Sequence, residues 1–261
     1  MIAAVTGIVK QTGTLIRRIR LQGIVAEEKP DSAGPVTAAD RAADDFLRRE
    51  LQRLVPAGWL SEESVDDPRR LQARQVWIVD PLDGTIEFVQ GLPEFAVSVA
   101  LVEDGVPILA VIHNPATDDF FWAERGAGAF RNARAIRVRE SRRLLASRTE
   151  VERGEFAPVS ADWDIKPMGS TAYKMALVAA GEAGAMFSRG PKWEWDVCAG
   201  TLLVTEAGGR ATQAFGGDLR FNAAEPRIPS ILVAAPLTWK RVRRQLEGLG
   251  PARREPVRIG P

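Results

Sequence analysis

Five short apolar runs between residues 95 and 138 set the first limits on how this chain folds. Turn residues separate the runs at intervals typical of an antiparallel meander, and no helical pattern interrupts them. The runs cover residues 96–102, 108–112, 120–122, 129–131 and 136–138. The sequence therefore predicts consecutive antiparallel strands in the middle of the chain.

Helical patterns precede this region. Apolar residues recur at helical spacing over residues 2–25. Thr37 is a suitable N-cap for a second helix that ends at Leu54, before Pro and Gly. Between the two helices, residues 27–35 contain Pro, Gly, Asp and Ser, which predicts a mobile loop.

After residue 141 the pattern changes to strands that alternate with helices. Strands are predicted at 144–147, 165–168, 185–188 and 230–234, and helices at 170–180, 196–207 and 237–247. We therefore expect an α+β protein with an N-terminal α+β subdomain over residues 1–141 and a C-terminal α/β subdomain over residues 142–261. The tail over residues 248–261 is rich in Pro, Gly and Arg and is expected to fray.

Composition narrows the classes of function. With 35 Lys and Arg against 34 Asp and Glu, the formal net charge is +1, which gives no reason to expect a nucleic acid or a membrane as partner. The single cysteine, Cys198, and the single histidine, His113, exclude a Cys-based zinc site and a multi-histidine site. A metal ion would need oxygen ligands, as Mg²⁺, Ca²⁺ or Mn²⁺ do. Because the N-terminus has no targeting pattern, we expect a cytoplasmic protein.

Acidic residues stand where predicted elements begin or end. Asp80 and Asp83 flank a Pro-Leu turn directly after the apolar run 76–79, so two carboxylates and the Leu82 carbonyl could converge on one cation. Gly84 and Thr85 open a short helical stretch whose N–H groups could face an anion. An isolated Asp-x-x-Asp pair is more often a turn feature, but here cation ligands and anion donors are adjacent. This adjacency indicates a metal-assisted phosphate site.

Four motifs occur in a fixed order along the chain. They are Ser61-Glu62-Glu63, Asp80-Pro81-Leu82-Asp83-Gly84-Thr85, Trp195-Asp196 and Thr205-Glu206-Ala207-Gly208-Gly209. In these motifs the sequence resembles the inositol monophosphatase superfamily of magnesium-dependent, lithium-sensitive phosphatases, over about residues 35–235. The resemblance implies a layered α/β/α/β/α sandwich of the inositol monophosphatase and fructose bisphosphatase type. Dimers are common in the superfamily, so a homodimer is one expected state.

The resemblance also implies roles for particular residues. It assigns two or three Mg²⁺ ions, for which Mn²⁺ could substitute, to the carboxylates of Glu62, Asp80, Asp83 and Asp196 and the carbonyl of Leu82. It assigns Thr85 and Asp40 to orienting and deprotonating the attacking water, with Glu62 as a further catalytic residue. The implied reaction is direct hydrolysis of a phosphomonoester without a covalent phosphoenzyme.

Within the superfamily, several details resemble the 3′(2′),5′-bisphosphate nucleotidases. These are Ser61 before the Glu pair, Glu87-Phe88 after the threonine, and Gly169-Ser170 leading to Lys174. The departure is Ile86, where many nucleotidases carry lysine. The first expectation is therefore conversion of adenosine 3′,5′-bisphosphate to AMP and phosphate. The alternatives are an inositol monophosphatase, a fructose 1,6-bisphosphatase, or a catalytically silent nucleotide or polyanion binder.

A bisphosphate substrate requires a second group of phosphate contacts. Ser170 and Thr171 open a predicted helix whose N–H groups could bind a phosphate, and Lys174 lies one turn further on. Arg189 and Lys192 resemble basic residues that contact the remote phosphate in nucleotidases. The full predicted substrate-binding set is Gly84, Thr85, Ser170, Thr171, Lys174, Arg189, Lys192 and Asp196.

Overall fold

Two helices and a two-stranded hairpin open the chain in the computed structural model, which describes residues 1–28 and 35–252. These elements are α1 (Ile2–Leu21), β1 (Ala26–Glu28), β2 (Pro35–Thr37) and α2 (Ala38–Leu54). The predicted N-cap is confirmed, because the Thr37 side chain accepts a hydrogen bond from the Ala39 N–H at 3.1 Å. Helix α1 ends four residues earlier than the periodicity predicts.

The expectation of a loop over residues 27–35 was wrong at both ends. Strands β1 and β2 pair antiparallel, with Glu28 opposite Pro35, so backbone pairing outweighs the turn-forming composition. The rest of that predicted loop, and the end of the tail that was expected to fray, lie outside the described residues.

The predicted meander is confirmed as part of a seven-stranded sheet. Its strands, in order across the sheet, are β3 (Gly58–Ser61), β4 (Gln75–Asp83), β5 (Ala96–Glu103), β6 (Val106–Asn114), β7 (Asp119–Glu124), β8 (Gly128–Arg131) and β9 (Arg134–Ile136). Strands β3 and β4 are parallel and every other neighbouring pair is antiparallel. The short helix α3 (Thr85–Val89) follows β4.

Strand β4 does not stop before Asp80, as its Pro and Gly residues suggested. It continues to Asp83, with Asp80 opposite Ser98 and Asp83 opposite Ala96 on β5. The register shifts between the two aspartates, which marks a bulge. A bulge accommodates Pro81 without a ladder hydrogen bond from its nitrogen.

The second half of the chain builds a five-stranded sheet with helices on both faces. Its helices are α4 (Arg148–Glu152), α5 (Thr171–Ala179), α6 (Glu194–Glu206) and α7 (Pro236–Glu247). The strands in this half of the chain are β10 (Arg143–Ser147), β11 (Asp164–Met168), β12 (Ala185–Ser188), β13 (Lys192–Trp193), β14 (Arg210–Thr212), β15 (Arg227–Ile228) and β16 (Ile231–Ala234). The sheet order is β11-β10-β12-β16-β14, while β13 and β15 form a separate pair. The sequence had not predicted β13, β14 or β15.

Alternating side chains on the strands divide the interior into three cores. Trp77 and Val79 of β4 pack against α1 and α2, where Leu47 and Leu51 are fully buried. Burial of each such leucine contributes roughly 1.5–3 kcal/mol. Ile78, on the opposite face of β4, packs in a second core with α5, α6 and the five-stranded sheet. The third core lies between that sheet and α7.

These cores stack the elements as helix, sheet, helix, sheet, helix, so the predicted layered α/β/α/β/α sandwich is confirmed. The middle core contains residues from both sides of position 141, such as Ile112 and Val197. The division into subdomains at that position stays a prediction. Among residues 1–28 and 35–252, no helix combines the length and the apolar character needed to cross a membrane.

Candidate metal and phosphate site

Three aspartates that are distant in sequence meet between the two halves of the fold. Asp80 and Asp83 lie at the bulged end of β4, and Asp196 lies in the first turn of α6, which packs against that sheet. One carboxylate oxygen from each residue lies within 4.8 Å of the others. Three converging carboxylates are the donor set that hard divalent cations prefer.

Asp80 carries the clearest sign that this site binds a cation. Its side chain is 1% exposed, and its Oδ1 accepts a hydrogen bond from the Leu82 N–H at 3.0 Å. Its Oδ2 is buried and has no hydrogen-bond partner in the described part of the chain. Burial raises the pKa of Asp80 well above its usual value, and the charge of Glu62 raises it further. A bound cation would supply the missing partner and remove this penalty.

Asp83 and Asp196 are each oriented by hydrogen-bond donors at the start of a helix. Asp83 Oδ2 accepts hydrogen bonds from the Ser170 hydroxyl at 2.7 Å and the Ala172 N–H at 2.6 Å. Asp196 Oδ2 accepts from the Trp193 N–H at 3.1 Å, which caps the start of α6. Burial, followed by the charges of its acidic neighbours, raises the pKa of Asp196 to about 8. Burial likewise raises the pKa of Asp83.

The two other predicted ligands line the same cleft. Glu62 directly follows β3, and its N–H donates to the Val79 carbonyl at 3.3 Å, which places it beside Asp80 on the neighbouring strand. Glu62 lies outside the group of three that share the 4.8 Å spacing. The Leu82 carbonyl oxygen lies 3.0 Å from Thr85 Oγ1. The structure therefore brings all five predicted ligands to one place, and their metal-binding role stays a prediction.

Thr85 and Asp40 form the hydroxyl–carboxylate pair that the resemblance implied. Thr85 Oγ1 lies 2.9 Å from Asp40 Oδ1. The other Asp40 oxygen accepts from the N–H of Thr37 at 2.8 Å and from its hydroxyl at 2.6 Å. Asp40 is thus fixed by the cap of α2 and presents one oxygen to Thr85. A hydroxyl has one proton to donate and lone pairs to accept with, so Thr85 can also accept from a water.

Gly84 makes this turn possible. Its φ is 97°, and a Cβ at this position would lie 2.7 Å from the Glu94 carbonyl oxygen. Only glycine meets both conditions without strain. The turn directs Thr85 back toward Asp40, because α3 begins immediately after Gly84.

The acidic cluster and Thr85 open onto a cleft of about 210 Å³, whereas Asp40 is buried and does not line it. The cleft is lined by Pro35, Glu62, Asp80, Leu82, Asp83, Gly84, Thr85, Ile86, Glu87, Ser147, Thr149, Gly169, Ser170, Thr171, Lys174 and Asp196. Five of the predicted substrate contacts that are not metal ligands lie on it: Gly84, Thr85, Ser170, Thr171 and Lys174.

Lys174 is less available than its position suggests. Its side chain is buried, and Nζ donates to the carbonyls of Gly169 at 3.0 Å and Met168 at 3.3 Å. Burial lowers the pKa of Lys174 to about 8, and the nearby charge of Lys192 acts in the same direction. The lysine therefore holds the segment before α5, and it loses its proton at a lower pH than an exposed lysine would.

Arg189 and Lys192 do not line the cleft. Arg189 Nη1 donates to the carbonyls of Gly250 at 3.1 Å and Leu249 at 3.4 Å, beyond the end of α7. Lys192 Nζ pairs with Glu150 Oε1 at 3.1 Å. The turn after β12 directs Arg189 toward the end of α7, and the buried Glu150 draws Lys192 toward α4. The charge of Lys192 nevertheless acts on Lys174, Asp83 and Asp196, so its role and that of Arg189 as phosphate contacts stay predictions.

Sequence reasoning did not single out Ser147 and Thr149, which also line the cleft. Ser147 ends β10, a strand that runs parallel to both β11 and β12. Ligands in α/β sheets bind beyond the carboxyl ends of parallel strands. The end of the predicted strand at 144–147 could therefore have indicated a binding position, but only if its parallel neighbours in the sheet had been known.

Comparisons with known proteins identify the family of the chain. A model of the inositol monophosphatase family matches residues 1–247. An inositol-1-monophosphatase of Rhizobium meliloti is 40% identical over 197 residues, which cover 70% of this chain and 73% of that protein. A fructose-1,6-bisphosphatase/inositol-1-monophosphatase of Thermotoga maritima is 34% identical over 203 residues, with coverages of 73% and 75%.

A solved structure extends the similarity to the whole fold. The extragenic suppressor protein suhB of Bartonella henselae superposes with a TM-score of 0.81 at 32% identity, over 93% of this chain and 96% of that one. The fold and these similarities define a metal-dependent phosphatase. The chain belongs to the inositol monophosphatase family. The predicted family and enzyme class are therefore confirmed, whereas none of these names refers to a bisphosphate nucleotidase.

Proposed function

We propose that the chain hydrolyses the phosphate monoester of a polyol, with inositol 1-phosphate as its preferred substrate and Mg²⁺ as its cofactor. The observation that carries this proposal is the cluster of Asp80, Asp83 and Asp196, which lines one cleft together with Thr85, the partner of the buried Asp40. The names of the two relatives support inositol 1-phosphate better than a nucleotide. Location in the cytoplasm, assembly as a dimer and the lack of a nucleic acid partner stay predictions.

The residues present fit a divalent cation. The carboxylates of Glu62, Asp80, Asp83 and Asp196 and the carbonyl of Leu82 would hold the ions, and Mn²⁺ would substitute for Mg²⁺ in an all-oxygen set. When bound, the ions polarise the phosphate oxygens and lower the pKa of water. The unpartnered Asp80 Oδ2 is the atom that most needs such an ion.

The Thr85–Asp40 pair would prepare the attacking water. The water passes a proton to Thr85 Oγ1 as the Thr85 proton passes to Asp40 Oδ1, 2.9 Å away. The water oxygen then bonds to phosphorus while the ester P–O bond breaks, and the departing alkoxide takes a proton from water. Positioned proton transfer of this kind accelerates a reaction on the order of 10²–10⁴-fold.

The cleft favours a neutral leaving group over a second phosphate. Arg189 donates to backbone carbonyls and Lys192 pairs with Glu150, and neither side chain lines the cleft. Lys174 donates to two carbonyls, and Glu87 brings an acidic side chain to the lining. These contacts support a hydroxyl-bearing substrate and count against adenosine 3′,5′-bisphosphate, our first expectation from the sequence.

A phosphate-release panel tests the proposal. Inositol 1-phosphate, fructose 1,6-bisphosphate and adenosine 3′,5′-bisphosphate are compared by kcat/KM in Mg²⁺, with the Asp80→Asn variant as the control for contaminating phosphatase. We expect inositol 1-phosphate to give the highest value and the control to give none. A preference for the adenosine compound would restore the nucleotidase reading. Turnover of no phosphomonoester would indicate a silent binder.

A further inference from the structure

The segment that leads into α5 is held in a strained conformation against one of the proposed metal ligands. Ser170 has a φ of 49°, a value that side-chain-bearing residues rarely adopt. Its hydroxyl and the Ala172 N–H both donate to Asp83 Oδ2, at 2.7 and 2.6 Å. The direction of the Asp83 carboxylate therefore depends on where residues 169–172 lie.

Glu94 holds the other end of this segment. Its Oε2 accepts a hydrogen bond from the Gly169 N–H at 2.8 Å. The same oxygen forms an ion pair with Arg148 Nη2, at the start of α4. Arg148 Nε also lies 3.8 Å from Glu87 Oε1. Glu94 thus joins the segment to Arg148 through one oxygen atom.

Two further contacts restrict the segment at Gly169. A Cβ at Gly169 would lie 2.2 Å from the Glu87 Cδ, so the two residues are already in close contact. Lys174 Nζ donates a hydrogen bond to the Gly169 carbonyl at 3.0 Å. Removal of Glu94 would release the hydrogen bond that it accepts from the Gly169 N–H.

We propose that Glu94, itself held by Arg148, is a positioning residue for Asp83. By fixing Gly169, it keeps Ser170 and Ala172 bonded to Asp83 Oδ2 and leaves Asp83 Oδ1 to serve as the metal ligand. Glu94 contacts no reacting atom and acts only through the segment. This inference rests on the proposed function, since it assumes that Asp83 binds a cation.

Binding of Mn²⁺ without substrate tests the inference, measured as free Mn²⁺ by electron paramagnetic resonance. Loss of a group that orients a metal ligand typically weakens metal affinity by about 10–100-fold, and we expect this loss for Glu94→Ala. Glu94→Gln should lose less, because its amide oxygen can still accept from Gly169. The matched control is Glu206→Ala, since Glu206 accepts from the N–H groups of Gly126 and Gly128, both at 2.9 Å, away from the cleft.

Unchanged Mn²⁺ affinity in folded Glu94→Ala would overturn the inference. Equal weakening in Glu206→Ala would also overturn it, because the loss would then reflect general destabilisation. If Glu94→Ala does not fold, Arg148→Ala replaces it: weaker binding of Mn²⁺ supports the inference and wild-type affinity refutes it. Failure of the wild-type protein to bind Mn²⁺ would instead refute the proposed function, and this inference with it.

Discussion

Replacing Asp196 with asparagine tests whether the acidic cluster is assembled at a cost to the fold. Asparagine has nearly the same shape, and its side-chain oxygen can still accept from the Trp193 N–H that caps α6. The substitution removes one carboxyl from a group whose oxygens lie within 4.8 Å of one another. We expect the variant to be inactive, yet more stable than the wild-type protein in the absence of divalent ions.

The size of the effect follows from the pKa of Asp196, which burial and acidic neighbours raise from 3.8 to about 8. Between these values the folded state keeps a proton that the unfolded state has lost, so stability falls as pH rises from about 4 to about 8. Each pH unit costs about 1.4 kcal/mol, which gives roughly 4 kcal/mol between pH 3.8 and neutral pH. The asparagine side chain at position 196 does not titrate, so the variant avoids this loss of stability.

Urea unfolding in a chelator measures the effect, at about pH 5 and about pH 7. The wild-type free energy of unfolding should fall between the two pH values, and that of Asp196→Asn should fall by roughly 3 kcal/mol less. Added Mg²⁺ should restore wild-type stability at neutral pH, because it binds the folded state. The variant should gain much less. Equal pH dependence of the two proteins in chelator would refute the reasoning.

Two further substitutions test the scaffold of the site. Thr37→Ala removes the N-cap of α2 and the hydroxyl that donates to Asp40, while the backbone N–H donor remains. The free energy of unfolding should fall by about 1 kcal/mol in urea titration, and kcat should fall as well. Unchanged kcat would show that Asp40 does not need this support. Gly169→Ala places a Cβ 2.2 Å from the Glu87 Cδ and should lower kcat/KM in phosphate release. The control is Gly7→Ala in α1, where an added Cβ has no atom within 4 Å and should leave kcat/KM unchanged. Equal effects of the two substitutions would contradict the importance of the contact between Gly169 and Glu87.

Local features of the site could be predicted from the sequence because neighbouring residues determine them. Asp80 and Asp83 are three positions apart, so any turn between them brings their carboxylates together. The cap at Thr37 depends only on residues within one turn of the helix. Asp196 is more than a hundred positions away, and only the family motif connected it to the others.

Features that depend on distant contacts could not be predicted in the same way. Pro81 and Gly84 suggested that β4 ends before Asp80, but pairing with β5 carries the strand to Asp83. The charge of Arg189 indicated an anion contact, yet its side chain bonds to carbonyls about sixty positions later. Charge and residue type are visible in a sequence, whereas the direction of a long side chain is set by the tertiary structure.

The site depends on both halves of the chain, which explains why its acids tolerate their mutual repulsion. Asp83 comes from the seven-stranded sheet, but the donors that orient it, Ser170 and Ala172, belong to the start of α5. Helix α5 in turn packs in the core between the two sheets. Because apolar burial in that core holds the layers together, it can offset the cost of placing like charges side by side. The cluster therefore stays assembled for a cation instead of relaxing into solvent.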